Sequence, residues 1–147
     1  MSYRLERPDV DADDDALVFS RDGELCTVGS DHFILANLEL PYRSGEKFVF
    51  TCWVSLSEES FRRMNECWER VGRENEEPMF AWFCNSLPTY EPTTMLLKSR
   101  VHMHPIGERP WIELEPTDHP LAIEQRTAVG DRRIFALYHA FIGSSPN

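Results

Sequence analysis

Residues 47–56 read KFVFTCWVSL, and this stretch decides the fold. Every second residue from position 48 to position 56 is hydrophobic, which predicts a β-strand with one buried face. Val49 and Trp53 make the opposite face partly apolar as well, as in an interior strand that is covered on both sides. The apolar run Phe33–Leu40 is its predicted neighbour in the sheet.

Outward from this strand, the pattern predicts a helix at about residues 58–71. Ser57 is a suitable N-cap residue and Gly72 a suitable stop. The helical period places four apolar side chains on one face: Phe61, Met64, Trp68 and Val71. Further strands are predicted at 24–28, 79–84, 94–104 and 111–115, and further helices at 120–127 and 131–142. This order predicts a single α+β domain, with a mostly antiparallel sheet packed by one central helix and C-terminal helices.

The net charge argues against two classes of partner. The chain carries 25 acidic and 15 basic side chains, which gives a formal net charge of -10. Nucleic-acid-binding proteins need a basic surface, and so do proteins that dock on anionic membranes. No apolar run is long enough to span a bilayer, and the first residues do not resemble a signal peptide. We therefore expect a cytoplasmic protein that binds neither nucleic acid nor membrane.

The acidic residues are concentrated near the N-terminus. Residues 1–15 are predicted to form an acidic N-terminal arm, and residues 16–147 the α+β domain. The arm has few apolar residues, so we expect it to be solvated or frayed. Its aspartates are candidate binding residues for a basic protein: Asp11, Asp13, Asp14 and Asp15.

The four cysteines give no metal or redox motif. Cys26, Cys52, Cys67 and Cys84 are far apart in sequence and form no Cys-x-x-Cys pair. We predict that they are buried free thiols.

Charged side chains and candidate catalytic side chains are concentrated on the predicted hairpin at residues 94–115. Strand alternation places the following on one face: Lys98, Arg100, His102, His104, Trp111, Glu113 and Glu115. The apolar faces of the two strands coincide when paired residue numbers sum to an odd value, so Arg100 lies opposite either Glu113 or Glu115. The face is interpreted as a solvated surface with cross-strand ion pairs, as a partner-binding surface through Arg100, Trp111 and Glu113, or as a metal or acid/base site.

The metal interpretation rests on two histidines that share a strand face. His102 and His104 are candidate ligands for zinc or another divalent metal, and Glu115 and His119 follow closely in sequence. Two basic side chains on the same face, at positions 98 and 100, would repel a cation. No other catalytic motif is present, so no further cofactor is expected.

Two phrases carry a family resemblance. Residues 53–61 (WVSLSEESF) and 112–122 (IELEPTDHPLA) resemble the bacterial domain-of-unknown-function family 2199. Members of that family often begin with a Cys-x-x-Cys segment that looks zinc-binding, and this chain has none, so a zinc role of that segment is not implied here. The resemblance implies no activity, but it singles out Glu115, Asp118 and His119. A strand-to-helix turn explains their phrase, with Asp118 as the predicted cap and Pro120 as the first helical residue.

We expect a small acidic binding protein that docks or neutralises a basic protein partner, such as an immunity protein that inhibits a bacterial toxin. High charge and the missing catalytic motif favour this function. The alternative is a metal-dependent or acid/base enzyme that uses His102, His104, His119 and Glu115. The sequence leaves the oligomeric state open.

Overall fold

The computed structural model describes residues 2–42 and 45–143, and it places eight strands and three helices there. The strands are β1 (Ser2–Arg4), β2 (Val18–Ser20), β3 (Leu25–Val28), β4 (Asp31–Pro41), β5 (Lys47–Leu56), β6 (Met79–Phe83), β7 (Lys98–His102) and β8 (Trp111–Leu114). The helices are α1 (Glu58–Cys67), α2 (Pro120–Arg126) and α3 (Asp131–Tyr138), and the π-helical turn His139–Gly143 follows α3. None of the helices in the described ranges has the length and hydrophobicity needed to cross a membrane.

Five of the strands close into a barrel, in the order β5–β6–β7–β8–β4. The long strands β4 and β5 form an antiparallel ribbon from His32 opposite Leu56 to Pro41 opposite Lys47. The barrel closes where β8 meets β4 in parallel, at the single pair Asn37 and Trp111. Strands β3 and β2 extend the sheet from β4, and β1 pairs with β5.

The structure confirms a mixed α and β protein with a mostly antiparallel sheet, and it confirms the predicted pairing of 33–40 with 47–56. The closed barrel was not predicted. Closure depends on a one-residue contact between β4 and β8, and no hydrophobic pattern along the chain marks such a contact.

Alternation along β5 explains the core. Phe48, Phe50, Cys52 and Val54 point into the barrel and are fully buried, as the two-residue period predicts. The helices supply further side chains to the same core: Met64 and Cys67 from α1, Leu121 and Ala122 from α2, and Ile134 and Leu137 from α3.

Helix α1 is shorter than predicted. Its N-cap is confirmed, because the Ser57 hydroxyl accepts a hydrogen bond from the Ser60 amide at 3.1 Å. The helix ends at Cys67, so Val71 lies beyond it and is 90% exposed. The prediction that Val71 belongs to the buried face was wrong, because the helix ends before Val71 and its apolar face ends with it.

Residues 2–15, expected to be a solvated or frayed arm, pack against the barrel while their aspartates are exposed. We call residues 2–17 the N-terminal segment; it includes β1 and lies against the outer surface of β4 and β5. The Trp53 indole N–H donates to the Leu5 carbonyl at 3.0 Å, and the Asp9 amide donates to the Cys84 carbonyl at 2.8 Å. Pro8 and Leu17 are buried. The few apolar residues of the segment are enough because they face the barrel while the acids face water. Residues 1 and 144–147, at the ends of the two predicted units, lie outside the described residues.

All four cysteines are buried free thiols, as predicted. Cys52 and Cys67 belong to the barrel core, whereas Cys26 and Cys84 lie beneath the N-terminal segment. Burial raises the pKa of each thiol above its ordinary value of 9.0. The thiols therefore behave as apolar core groups.

Candidate functional site

The predicted hairpin face lies on the outside of the barrel. The register places Arg100 opposite Glu113 and His102 opposite Trp111, which settles the two pairings that the sequence left open. Strand β6 adds two aromatic side chains to the same surface. We call this surface the aromatic–charged face; its members are Phe80, Trp82, Lys98, Arg100, His102, Trp111, Glu113 and Glu115.

The aromatic–charged face is ordered in levels across the three strands. Phe80 pairs with Arg100, which pairs with Glu113, so these three residues form one level. Trp82 pairs with Lys98, and the Glu115 amide donates to the Lys98 carbonyl at 2.9 Å, which gives a second level. Each level therefore runs from an aromatic ring on β6 through a cation on β7 to a carboxylate at β8.

The two β6 rings are unusually exposed. Phe80 is 49% and Trp82 39% exposed, and the rings meet edge to face at a centroid distance of 5.0 Å. Neighbouring exposed aromatic residues are typical of surfaces that bind another molecule. Sequence reasoning missed them because 79–84 is predicted only as a strand, with neither of its faces assigned.

One side-chain hydrogen bond crosses the face. His102 Nε2 lies 2.9 Å from Glu113 Oε1, and the His102 ring stacks on Trp111 at a centroid distance of 4.2 Å. Among the described residues, the side chains of Lys98, Arg100 and Glu115 have no hydrogen-bond or ion-pair partner. The face is thus only partly the ion-paired surface that cross-strand neighbours predict.

Helix α2 holds β8 in position through Gln125. Its side-chain amide donates to the Ile112 carbonyl at 2.6 Å and accepts from the Leu114 amide at 2.8 Å. Strand β4 pairs with β8 at one residue only. Gln125 therefore acts as the hydrogen-bond partner of the β8 backbone beyond that residue. A cleft of about 270 Å³ lies beside this contact, lined partly by Trp111, Pro116 and Gln125.

The position of α2 is fixed in turn by Tyr90, Glu124 and Arg133. Tyr90 donates to Glu124 Oε1 at 2.6 Å, and Arg133 Nε donates to Glu124 Oε2 at 2.6 Å. Burial raises the pKa of Tyr90 above its ordinary value of 10.0, and the neighbouring Glu124 carboxylate raises it further. The phenol therefore stays protonated and joins the loop before β7 to α2.

His119 has a structural role. It is the N-cap residue of α2: its Nδ1 accepts from the Leu121 amide at 3.0 Å, while Nε2 contacts the Pro92 carbonyl at 2.9 Å. Both ring nitrogens are occupied, and the carbonyl contact places the ring proton on Nε2. The prediction that Asp118 caps this helix was wrong, because the imidazole takes that position.

The structure does not assemble the candidate metal ligands. His102 contacts Glu113 and Trp111, His119 caps α2, and Glu115 has no partner among the described residues. Within residues 2–42 and 45–143, no three His, Cys, Asp or Glu side chains are grouped so that they could hold a metal ion.

His104 lies at the start of a loop that Arg73 organises. The buried Arg73 guanidinium donates to four backbone carbonyls: Trp68 at 2.9 Å, His104 at 2.8 Å, Pro105 at 3.2 Å and Glu108 at 2.8 Å. It also lies 5.2 Å from the centre of the Trp68 ring. Sequence reasoning missed this residue because one arginine in a polar stretch has the pattern of an ordinary surface charge.

The acidic candidates form a second, separate surface. We call residues 11–15 the acidic turn; all four of its aspartates are exposed. Arg7 Nη1 contacts Asp14 Oδ1 at 2.6 Å, and Arg7 Nη2 donates to the carbonyls of Val10 and Ala12 at 3.0 and 2.9 Å. The side chains of Asp11, Asp13 and Asp15 have no partner among the described residues.

Strand β2 follows the acidic turn and ends the sheet. Val18 is 64% and Phe19 44% exposed there. The N-terminal segment packs on β4 and β5, whereas β7 is the barrel strand farthest from that ribbon. The predicted partner-binding residues therefore lie on two opposite walls of the barrel, the aspartates on one and Arg100, Trp111 and Glu113 on the other.

Comparison with known proteins gives a family. A family model described as an uncharacterized protein conserved in bacteria (DUF2199) matches residues 2–129, a range that contains the whole barrel and both candidate surfaces. No curated protein and no solved structure matches the chain. The match confirms the resemblance that residues 53–61 and 112–122 indicated, and the chain belongs to the bacterial family DUF2199.

Proposed function

We propose that the protein is a small acidic binding domain that docks a basic protein partner through the acidic turn and the adjoining strand β2. One observation carries this proposal. The carboxylates of Asp11, Asp13 and Asp15 are exposed on a segment that is packed against the barrel, and they have no partner among the described residues.

Order in the acidic turn favours binding. Arg7 ties the turn together, and Asn85 donates to the Arg7 carbonyl at 3.0 Å from the barrel side. A turn that is already ordered loses little conformational entropy when a partner binds, so more of the interaction energy contributes to affinity.

Strand β2 adds apolar contact area next to the charges. Val18 and Phe19 are exposed at the end of the sheet. An unpaired sheet edge accepts extended segments from other proteins through backbone hydrogen bonds. A partner segment with apolar and basic residues would contact both features at once.

The charge of the whole chain supports a basic partner. A formal net charge of -10 accelerates association with a cationic protein, and salt reduces that rate. Within this class we favour a basic toxin domain that the protein neutralises as an immunity protein does. The protein catalyses no reaction in this function.

The test compares two variants that remove the same charge from different places. D11N/D13N/D15N removes three carboxylates from the acidic turn, and E66Q/E74Q/E77Q removes three exposed carboxylates from other positions. Each variant is used at low salt to capture proteins from an extract of the host, and captured proteins are identified by mass spectrometry. We expect the wild type and the second variant to retain the same basic protein and the first to lose it. Equal retention by both variants would exclude the acidic turn as the docking surface.

A further inference from the structure

We propose that the aromatic–charged face is a self-complementary interface on which a second copy of this chain docks about a two-fold axis. Its outward side chains form three rows that follow the strands. The row on β6 is aromatic, the row on β7 is cationic, and the row at β8 is acidic. A symmetric dimer needs a surface whose two halves complement each other, and the β7 and β8 rows provide such halves.

The orientation of the axis follows from the charges. An axis that crosses the strands would place each row against itself, with cations facing cations. An axis parallel to the strands and midway between β7 and β8 instead places each cationic row against the acidic row of the other copy. This rotation preserves the level along the strand, so Arg100 meets Glu113 and Lys98 meets Glu115 in both directions.

These charges lack partners within the described part of one chain, although the register places opposite charges side by side. Arg100 lies directly opposite Glu113 on the neighbouring strand, yet the two form no ion pair within 4.0 Å among the described contacts. Glu113 uses one oxygen for His102 and keeps the other free for a further donor. In the dimer, Lys98, Arg100 and Glu115 each gain a partner of opposite charge.

The same rotation brings the exposed rings to a cleft. Phe80 lies one strand beyond β7, so it reaches the position one strand beyond β8 in the other copy. The cleft of about 270 Å³ between β8 and α2 occupies that position. The cleft is open to solvent and is larger than the roughly 150 Å³ that holds a benzene ring. Its lining combines apolar side chains with charged ones: Trp111, Leu114, Pro116 and Ala122, and Glu39, Glu113 and Arg126. Buried aromatic anchors of this kind carry most of the binding energy at an interface.

A second copy fits this face better than an unrelated protein does. The two levels hold two cations and two carboxylates in matched order, so the face is close to neutral although the chain is strongly acidic. The acidic turns of the two copies lie on opposite walls of the dimer, where they repel each other least. The dimer therefore leaves the proposed docking surface for a basic protein open on both sides.

The experiment is a charge swap with mixing, read by analytical ultracentrifugation at physiological salt. Arg100→Glu places like charges together in a homodimer, and so does Glu113→Lys. We expect a wild-type dimer and at least about a hundredfold weaker self-association for each single variant. An equimolar mixture of the two variants restores both ion pairs of this level, so a heterodimer should form. The mixture also shows that the single variants are folded.

A second pair of variants tests the aromatic contact. Phe80→Ser should weaken the dimer about tenfold or more, whereas Val71→Ser, at a more exposed apolar site away from the face, should leave it unchanged. A wild-type protein that remains monomeric up to roughly 1 mM, or single variants whose mixture stays monomeric, would overturn the proposal. Because the charge-swap variants leave the acidic turn intact, loss of the dimer and loss of the basic partner are separate results.

Discussion

The two walls of the barrel have similar strands but opposite surroundings. Outside β4 and β5, Phe33, Leu35 and Trp53 are buried beneath the N-terminal segment. Outside β6, Phe80 and Trp82 are exposed, and β7 and β8 present charged side chains beside them. An aromatic side chain on the outer face of a barrel strand can thus stabilise the fold where it is covered, or contribute to binding where it is exposed. The difference is set by the N-terminal segment, which covers one wall and leaves the other open.

The largest effect is expected where the covered wall loses its aromatic centre. Trp53→Ala removes a fully buried ring and the indole bond to Leu5, so the free energy of unfolding should fall by about 3–5 kcal/mol. Trp82→Ala is the matched control on the open wall, with an expected loss of about 1 kcal/mol, because its ring is partly exposed and packs edge to face on Phe80. Urea unfolding measures both variants. Similar losses would mean that the two walls do not differ as described.

The next effect concerns the contact that attaches the N-terminal segment. Asn85 accepts a hydrogen bond from the Trp53 amide at 2.7 Å and donates to the Arg7 carbonyl at 3.0 Å. Asn85→Ala leaves the buried Trp53 amide without a partner, at a cost of about 2–3 kcal/mol.

Thiol labelling shows which part of the molecule opens in this variant. Cys26 and Cys84 lie beneath the segment and should react faster with a thiol reagent, while Cys52 and Cys67 in the barrel core should remain protected. Uniform acceleration at all four cysteines would indicate global destabilisation and no separate opening of the covered wall.

A smaller effect concerns Cys52, on the inward face of β5, and depends on pH. Burial raises the pKa of Cys52 well above the ordinary value of 9.0, so this thiol stays protonated in the folded protein and ionises in the unfolded chain. Its contribution to stability is therefore present below pH 9.0 and is lost as pH rises further. Between pH 8 and 10 the loss is about 1.4 kcal/mol for this thiol. Under reducing conditions, Cys52→Ala should reduce the fall in unfolding free energy between pH 8 and 10 by that amount; an unchanged fall would contradict the burial.

An effect of similar size is expected at the seam of the open wall. Gln125→Ala removes two backbone partners of β8, so stability should fall by about 1–2 kcal/mol. The Leu114 amide should exchange faster with deuterated solvent, and self-association through the aromatic–charged face should weaken. Arg132→Ala, at an exposed position of α3 that does not line the cleft, serves as the control and should change neither property. Unchanged Leu114 exchange in the Gln125 variant would show that α2 does not support β8.

Local sequence patterns were sufficient for elements with a strong period. The strand Lys47–Leu56 was predicted with its correct bounds, and the Ser57 cap was also correct. The alternation on the hairpin was correct within Lys98–His102 and Trp111–Leu114, whereas 94–97 and His104 lie outside β7. These features depend on neighbours within a few residues, where propensity and side-chain spacing dominate. The outward charges of Arg100 and Glu113 were found for the same reason.

Contacts between distant parts of the chain were not predictable in this way. The N-terminal segment has too few apolar residues to fold alone, and only the outer surface of β4 and β5 makes it ordered. Closure at Asn37 and Trp111, and the cap at His119, likewise depend on tertiary position. The charged rows of the candidate site were therefore predictable from strand alternation. The β6 rings beside them were not, because their position depends on the order of strands in the sheet.

The Arg73 guanidinium acts as a cation bound within the loop after β7. Its four carbonyl contacts resemble the way a loop wraps a bound metal ion, except that the charge is tethered to the chain. A tethered ion cannot be removed by a chelator or diluted away, and its burial protects it from screening by salt. The loop that leads into Trp111 is thus held by a cation that the chain itself supplies.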